Sequence, residues 1–404
     1  MKRFLKWAGI AVLILLGLIG GYAAYIQATG YPTYDVSPIK LAVERTPERV
    51  AHGRELALRL CVMCHLDPTT KRLTGVRMLD LPKSFGTAYS RNITQHKSAG
   101  IGSWSDGDIA WVLRTGIQPH TGRYLPPWMP KFPHMSDEDL ASIIAWLRSD
   151  DPYVQASDVA SRESEPSFLA KFLSHIAFKP FEYPTSSISH PDTTDNITYG
   201  RYLTNSVYDC YQCHSADFAT NAPLDPPSSP GFYAGGQKLP NAVGYEIAVS
   251  NITSDRTHGI GRYTREQFIE LMKTGFRPDG TPMRYPMVRM PSFSDHALGC
   301  MYDYLMTVPA NANVTATASP SGPWNSKGAK LWDTKGCAGC HGTDGVGFAD
   351  MRMASSKYPE DSLLYDVIGN PTKYNPLSTM PHYAGHLSQD ELHDLALHVR
   401  TIKK

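Results

Sequence analysis

Hydrophobic positions run unbroken from Trp7 to Ile26, twenty residues of Trp, Ala, Gly, Ile, Val, Leu and Tyr without a charge. At about 1.5 Å per residue, a helix of that length crosses a hydrocarbon core of roughly 30 Å. No later run matches it, so the pattern predicts one N-terminal transmembrane anchor, residues 1–34, and a tethered soluble remainder. Lys2, Arg3 and Lys6 precede the run, and the first charge after it is Asp35. The positive-inside rule then keeps the N-terminus in the cytoplasm and exports everything beyond Tyr31. A cleaved signal peptide, with Ala23-Ala24 as its processing site, is the rival reading and exports the same residues. The length of the apolar run favours an uncleaved anchor.

Past the anchor the pattern becomes periodic and repeats itself. Asn92-Ile-Thr94 precedes Gly100-Ile-Gly102 as Asn251-Ile-Thr253 precedes Gly259-Ile-Gly261. In each copy a capping-box pattern opens a helix, Ser105 with Asp108 and Thr264 with Gln267. Apolar residues then keep helical spacing, Ile109, Val112 and Leu113 in one copy and Phe268, Leu271 and Met272 in the other. Gly116 and Gly275 follow as C-terminal caps. Each copy ends on another helix, Ser136 through Trp146 and Ser294 through Leu305. The second lacks an acidic residue at the third position, which predicts a weaker cap. A third, shorter segment starts near Trp324, has no Asn-Ile-Thr, and ends on a helix opened by Ser388-Gln-Asp-Glu391.

The expected organisation is therefore an anchor at 1–34, a first domain at 45–150, a linker at 151–195, a second domain at 196–309, a linker at 310–322 and a third domain at 323–404. Phe168–Ile176 inside the first linker reads as a short amphipathic helix that packs between domains or touches the membrane surface. Length agrees, since 404 residues make about three domains. Gly 32 and Pro 31 point to short helices on long ordered loops. A hydrophobic fraction of 42% with 19% charged residues excludes a mostly disordered chain. A net charge of +1 excludes a strongly basic nucleic-acid binder.

Chemistry enters with the cysteines. Six of seven fall in three copies of one pattern: Cys61-Val-Met-Cys64-His65, Cys210-Tyr-Gln-Cys213-His214 and Cys337-Ala-Gly-Cys340-His341. This composition yields about 0.005 copies by chance. Two thiols one helical turn apart match the two vinyl groups of a haem, and the adjacent His supplies the proximal iron ligand. Zinc would need four ligands where three separated pairs leave a half-site. A redox dithiol does not need the His, and exported disulfides do not predict the spacing. The motifs thus predict three covalently attached haem c groups. Cys300, in an apolar helical stretch, reads as a buried small side chain.

A haem with only a proximal His keeps an open face. Met129 lies seven residues before Ser136, Met287 seven before Ser294 and Met380 eight before Ser388. This shared offset selects one Met per domain as sixth ligand, a soft donor that raises the potential. Met135, Met283 and Met290 are the substitutes, and His134, His296, His382 and His386 are the alternative, bis-His set.

Together, the Cys-x-x-Cys-His pairs, Asn-Ile-Thr, Gly-Ile-Gly with its capped helix, and the late Met before a Ser-Asp-Glu-Asp-Leu helix resemble the membrane-bound cytochrome c subunits of bacterial periplasmic dehydrogenases of alcohols, gluconate or aldehydes. The resemblance covers 45–310, and 324–404 is similar to a generic class I cytochrome c. It implies a mostly α fold: three class I cytochrome c-like haem domains after one N-terminal transmembrane helix. It also implies an electron-transfer subunit rather than an enzyme, in the inner membrane with its haem domains in the periplasm of a bacterium, a metal-binding multihaem member of a respiratory chain. Electrons would pass from a partner dehydrogenase subunit toward quinone or a terminal oxidase. The alternatives are a haem enzyme with one open iron and a fixed wire between a quinol-oxidising complex and an oxidase. No Ser-His-Asp set, phosphate loop or nucleotide fingerprint argues for other catalysis.

Overall fold

The computed structural model describes residues 2–78, 81–240, 246–287, 289–315, 323–345, 351–375 and 378–402. Helix α1, Lys2–Thr29, contains the whole predicted span and is long and apolar enough to cross a membrane. Its side chains are exposed nearly all round, from Phe4 through Leu13 and Leu16 to Ile19. Only its C-terminal end is packed, with Ile26 buried.

The first repeat holds α2 (Pro47–Leu60), α3 (Val62–His65), α4 (Asp106–Thr115) and α5 (Asp137–Leu147), followed by α6 (Phe168–Ile176). The second holds α7 (Asn196–Tyr202), α8 (Cys210–His214), α9 (Arg265–Thr274) and α10 (Asp295–Leu305). The third segment holds α11 (Lys327–Thr334), α12 (Cys337–His341), α13 (Ala354–Lys357), α14 (Asp361–Gly369), α15 (Pro371–Tyr374) and α16 (Gln389–Thr401). Strand is confined, among the described residues, to two short antiparallel pairs: β1 (Gly86–Thr87) with β2 (Glu165–Pro166), and β3 (Lys238–Pro240) with β4 (Glu246–Ala248).

The predicted capping boxes at Ser105/Asp108, Thr264/Gln267 and Ser388/Glu391 are all formed. Gly116 and Gly275 close α4 and α9 in the left-handed conformation. Ser294 caps α10 through Ala297 N alone, since Ala at that position has no side chain to return a bond.

The chain divides into two compact units, one of Met1–Gly53, Cys64–Pro133 and Leu140–Ser187, the other of Arg54–Met63, His134–Asp139 and Ile188–Lys404. The first unit therefore keeps residues 151–187, which the sequence pattern presents as a spacer. In it α6 packs on the end of α1: Lys171 Nζ donates to Gln27 Oε1 (3.2 Å), and the His175 and Tyr25 rings meet edge to face at 6.0 Å. Ala170 and Ser174 of α6 are buried, while Phe168, Leu169 and Ile176 are exposed. Within the second unit, α11, α14 and α16 surround an apolar core of Trp332, Leu364, Leu392, Leu395 and Val399. Phe276, from the second repeat, belongs to that same core. Residues 316–322, the rest of the second expected linker, lie outside the described residues.

Candidate haem sites and their support

The second and third Cys-x-x-Cys-His motifs fall whole on short helical turns, α8 and α12, and in the first Cys61 immediately precedes α3, which holds Cys64 and His65. None of the seven cysteines is in a disulfide. Cys210, Cys337 and Cys340 have their thiols pushed up to about 12 by burial, which keeps them protonated. Cys300 is buried on α10, as the sequence implies, with Sγ 3.5 Å from Asn196 Oδ1.

The first two histidines are oriented alike. His65 Nδ1 lies 2.7 Å from Arg91 O, and His214 Nδ1 lies 2.7 Å from Ser250 O. A backbone carbonyl can only accept, so Nδ1 carries the proton and Nε2 keeps its lone pair. Burial lowers the pKa of both imidazoles, which also favours the neutral, metal-binding form. This is the support that a metal-bound His requires. The donor set of the first two motifs thus fits an iron porphyrin: two thiols and one oriented imidazole each.

The repeated Asn-Ile-Thr sequence explains how that carbonyl is held. Arg91 and Ser250 immediately precede Asn92 and Asn251. Asn92 Oδ1 accepts from Thr94 N and Oγ1 (2.9 and 2.7 Å), and its Nδ2 donates to Ser157 O and Val159 O (3.0 and 2.8 Å). Asn251 Oδ1 accepts from Thr253 N and Oγ1, and its Nδ2 donates to Asn311 O and Asn313 O. Each Asn pins the strap after the last helix of its repeat. In the sequence Asn-Ile-Thr reads only as a repeat marker and this role is missed, although its place beside every Gly-Ile-Gly is the available signal. Gly75 and Gly235 let the carbonyl segment approach: with φ of 91° and 66°, a Cβ there would fall 2.2 Å from Ser90 O and 2.5 Å from Val249 O.

The Met-bearing loops repeat in detail. Leu125 N donates to Gly116 O (2.8 Å) and Met283 N to Gly275 O (2.7 Å); Phe132 N donates to Leu113 O (2.8 Å) and Met290 N to Met272 O (2.6 Å). Between these rungs, Met129 N and Met287 N close turns onto Pro126 O and Arg284 O. Met129, Met287 and Met380 are half-buried, whereas the substitutes Met135 and Met290 are buried in the core and Met283 is half-buried on the outgoing rung. The rival histidines are engaged elsewhere. His134 Nε2 meets Pro223 O at 3.1 Å, His296 Nε2 meets Thr193 O at 2.8 Å, His382 Nε2 meets Thr372 Oγ1 at 2.9 Å, and His386 stacks on Phe276 at 3.7 Å.

Lys131 and Arg289 are buried cations beside these loops, and the sequence pattern signals neither. Lys131 Nζ donates to Leu125 O and Pro126 O, each at 2.6 Å, and lies 5.0 Å from the Tyr124 ring centroid. Arg289, 2% exposed, bonds carbonyls of both the second repeat and the third segment. Each lies two residues after its Met and five before the capping Ser.

Residues 326–403 match the family model of cytochrome c, and residues 48–147 match that of cytochrome c oxidase, cbb3-type, subunit III. The cytochrome c subunit of the quinone alcohol dehydrogenase of Gluconacetobacter polyoxogenes is 27% identical over 372 residues, covering 84% of this chain and 77% of its own. The fructose dehydrogenase cytochrome subunit of Gluconobacter japonicus is 26% identical over 343 residues, 74% of this chain and 65% of its own. The gluconate 2-dehydrogenase cytochrome c subunit of Pantoea cypripedii is 25% identical over 377 residues, 84% and 82% of the two chains. This chain therefore carries cytochrome c domains, which hold haem c covalently, and is a relative of the cytochrome c subunits, not the catalytic subunits, of alcohol, fructose and gluconate dehydrogenases.

Proposed function

We propose that the chain is a membrane-tethered triheme cytochrome that accepts electrons from a partner dehydrogenase subunit and delivers them toward quinone or a terminal oxidase. The observation that carries the reading is the oriented imidazole, Nδ1 on a backbone carbonyl and Nε2 available, within Cys-x-x-Cys-His. In this assignment Cys61 and Cys64, Cys210 and Cys213, and Cys337 and Cys340 would hold the haems through thioethers. His65, His214 and His341 would supply an imidazole nitrogen to each iron, and Met129, Met287 and Met380 a thioether sulfur. Haem c, when bound, supplies one-electron chemistry at iron. The residues around it would fix its orientation, burial favours the neutral His65 and His214 imidazoles, and the Met ligands would leave no iron position for a substrate. Helix α1 anchors the chain in the inner membrane, and the exposed Phe168, Leu169 and Ile176 of α6, packed on its end, extend the lipid-facing surface. The haem domains occupy the periplasm, where respiratory-chain partners are reached.

The test is a pyridine-haemochrome count on the denatured protein. Three haems per polypeptide are expected, and two or fewer overturn the assignment. Protease added to spheroplasts should digest the haem domains and spare a short anchor; full protection would reverse the topology.

A further inference from the structure

We propose that Arg289 is a positioning residue through which the second repeat holds the sixth-ligand loop of the third haem. The proposal rests on the reading of Met380 as that ligand. The guanidinium is almost wholly buried, 2% exposed, and divides its donors between two parts of the chain. Nε donates to Met380 O (2.5 Å), Nη2 to Ser378 O (2.6 Å) and Nη1 to Lys273 O (3.1 Å). The Lys273 carbonyl sits in the last turn of α9, where unsatisfied carbonyls and the helix dipole favour a cation. One planar group therefore ties the end of a second-repeat helix to the backbone of the proposed ligand.

The neighbouring contacts act in the same place. His382 N donates to Thr274 O (3.1 Å), and Phe276 lies in the core of the third segment and stacks on His386, 3.7 Å between centroids and 3° from parallel. Residues 273–276 and 289 thus grip the stretch 378–386 from outside its own repeat. The equivalent cation of the first repeat does nothing of the kind, since among the described residues Lys131 bonds only Leu125 O and Pro126 O of its own loop. The third segment lacks Asn-Ile-Thr, and its Met loop takes three backbone contacts from its neighbour. A Lys could not replace Arg289 fully: three carbonyls in a fork need the planar guanidinium, whereas an ammonium is a compact point donor.

The experiment uses the full chain, purified in detergent with its haems. It compares wild type, Met380→Ala, Met287→Ala, Arg289→Gln and Arg289→Lys by the sulfur-to-iron band of the oxidised protein and by carbon monoxide binding to the reduced protein. The two Met variants assign the shares of the band to the third and second haems. Arg289→Gln is expected to lose the share that Met380→Ala removes, to keep the share that Met287→Ala removes, and to bind carbon monoxide about 10- to 100-fold better at one haem. Arg289→Lys should fall between Gln and wild type. Full retention of the Met380 share in Arg289→Gln, or loss of the Met287 share in its place, overturns the proposal while leaving the ligand assignment standing. If Met380→Ala leaves the band unchanged, the ligand assignment fails and the proposal with it. Should Arg289→Gln not accumulate, Arg289→Lys decides: an undiminished Met380 share in that variant overturns the clamp.

Discussion

The first and second repeats place the same parts at the same points and differ in what one buried cation reaches. Both carry a capping box, a left-handed glycine, paired backbone rungs around the Met and an Asn that pins a strap. Even unequal chain lengths are absorbed. His65 finds its carbonyl 26 residues on and His214 finds its own 36 residues on, yet both bonds are 2.7 Å. The β3–β4 pair lies within the longer excursion. The cations diverge: Lys131 closes its own loop, and Arg289 reaches Met380. A duplicated scaffold has thus kept its internal supports and turned one of them outward, which makes the Met loop of the third segment dependent on the second repeat.

Removing a haem from each repeat gives the largest expected effect. Cys64→Ala and Cys213→Ala should each lower the haemochrome count by one. Cys64→Ala should leave the potentials of the other two haems in place, whereas Cys213→Ala loosens the second repeat and should also shift the third haem, read by spectroelectrochemical titration. An unshifted third haem in Cys213→Ala would break the proposed dependence.

Much of this is legible in the amino-acid sequence. The long apolar helix, the helical turns of the Cys-x-x-Cys-His segments, the capping boxes and the C-cap glycines are local, because each is decided by neighbouring residues. The straps are illegible for a physical reason. Residues 151–167 and 310–315 are polar and loop-like, and composition cannot distinguish a free linker from a chain whose carbonyls are bonded by Asn92 or Asn251 about sixty residues earlier. Lys131 and Arg289 escape for a related reason. A charged residue in a loop is read as solvated, and only the fold reveals carbonyls converging on it.

Asn92→Ala and Asn251→Ala form the next pair. Each removes a buried side chain whose partners include two strap carbonyls and the N–H and hydroxyl of a Thr. The loss expected is about 1–3 kcal/mol of stability at each site, followed as thermal melting of the haem absorbance. Because the networks match, the two losses of stability should be similar. A large effect at one site with none at the other would refute the equivalence of the repeats.

The smallest effects sharpen the contrast most directly, at the two left-handed caps. Gly116 and Gly275 have φ of 76° and 86°, where a Cβ costs roughly 1–2 kcal/mol. The surroundings of the added methyl differ. At Gly116 it would lie 2.4 Å from Lys131 Cε, so the lysine stem must move and the bonds to Leu125 O and Pro126 O weaken. At Gly275 it would lie 3.2 Å from Pro381 Cβ, a tight contact relieved by a small shift of the residue that follows Met380. Gly116→Ala should therefore perturb the Met-dependent band of the first haem, and Gly275→Ala that of the third in addition to its own repeat. Resonances of the axial Met methyl groups in the reduced protein would separate the haems. A Gly275→Ala spectrum altered at the second haem alone would mean that the loop of residues 378–381 is held without the second repeat, and the asymmetry between the two repeats would then reduce to a difference in sequence with no consequence for coupling.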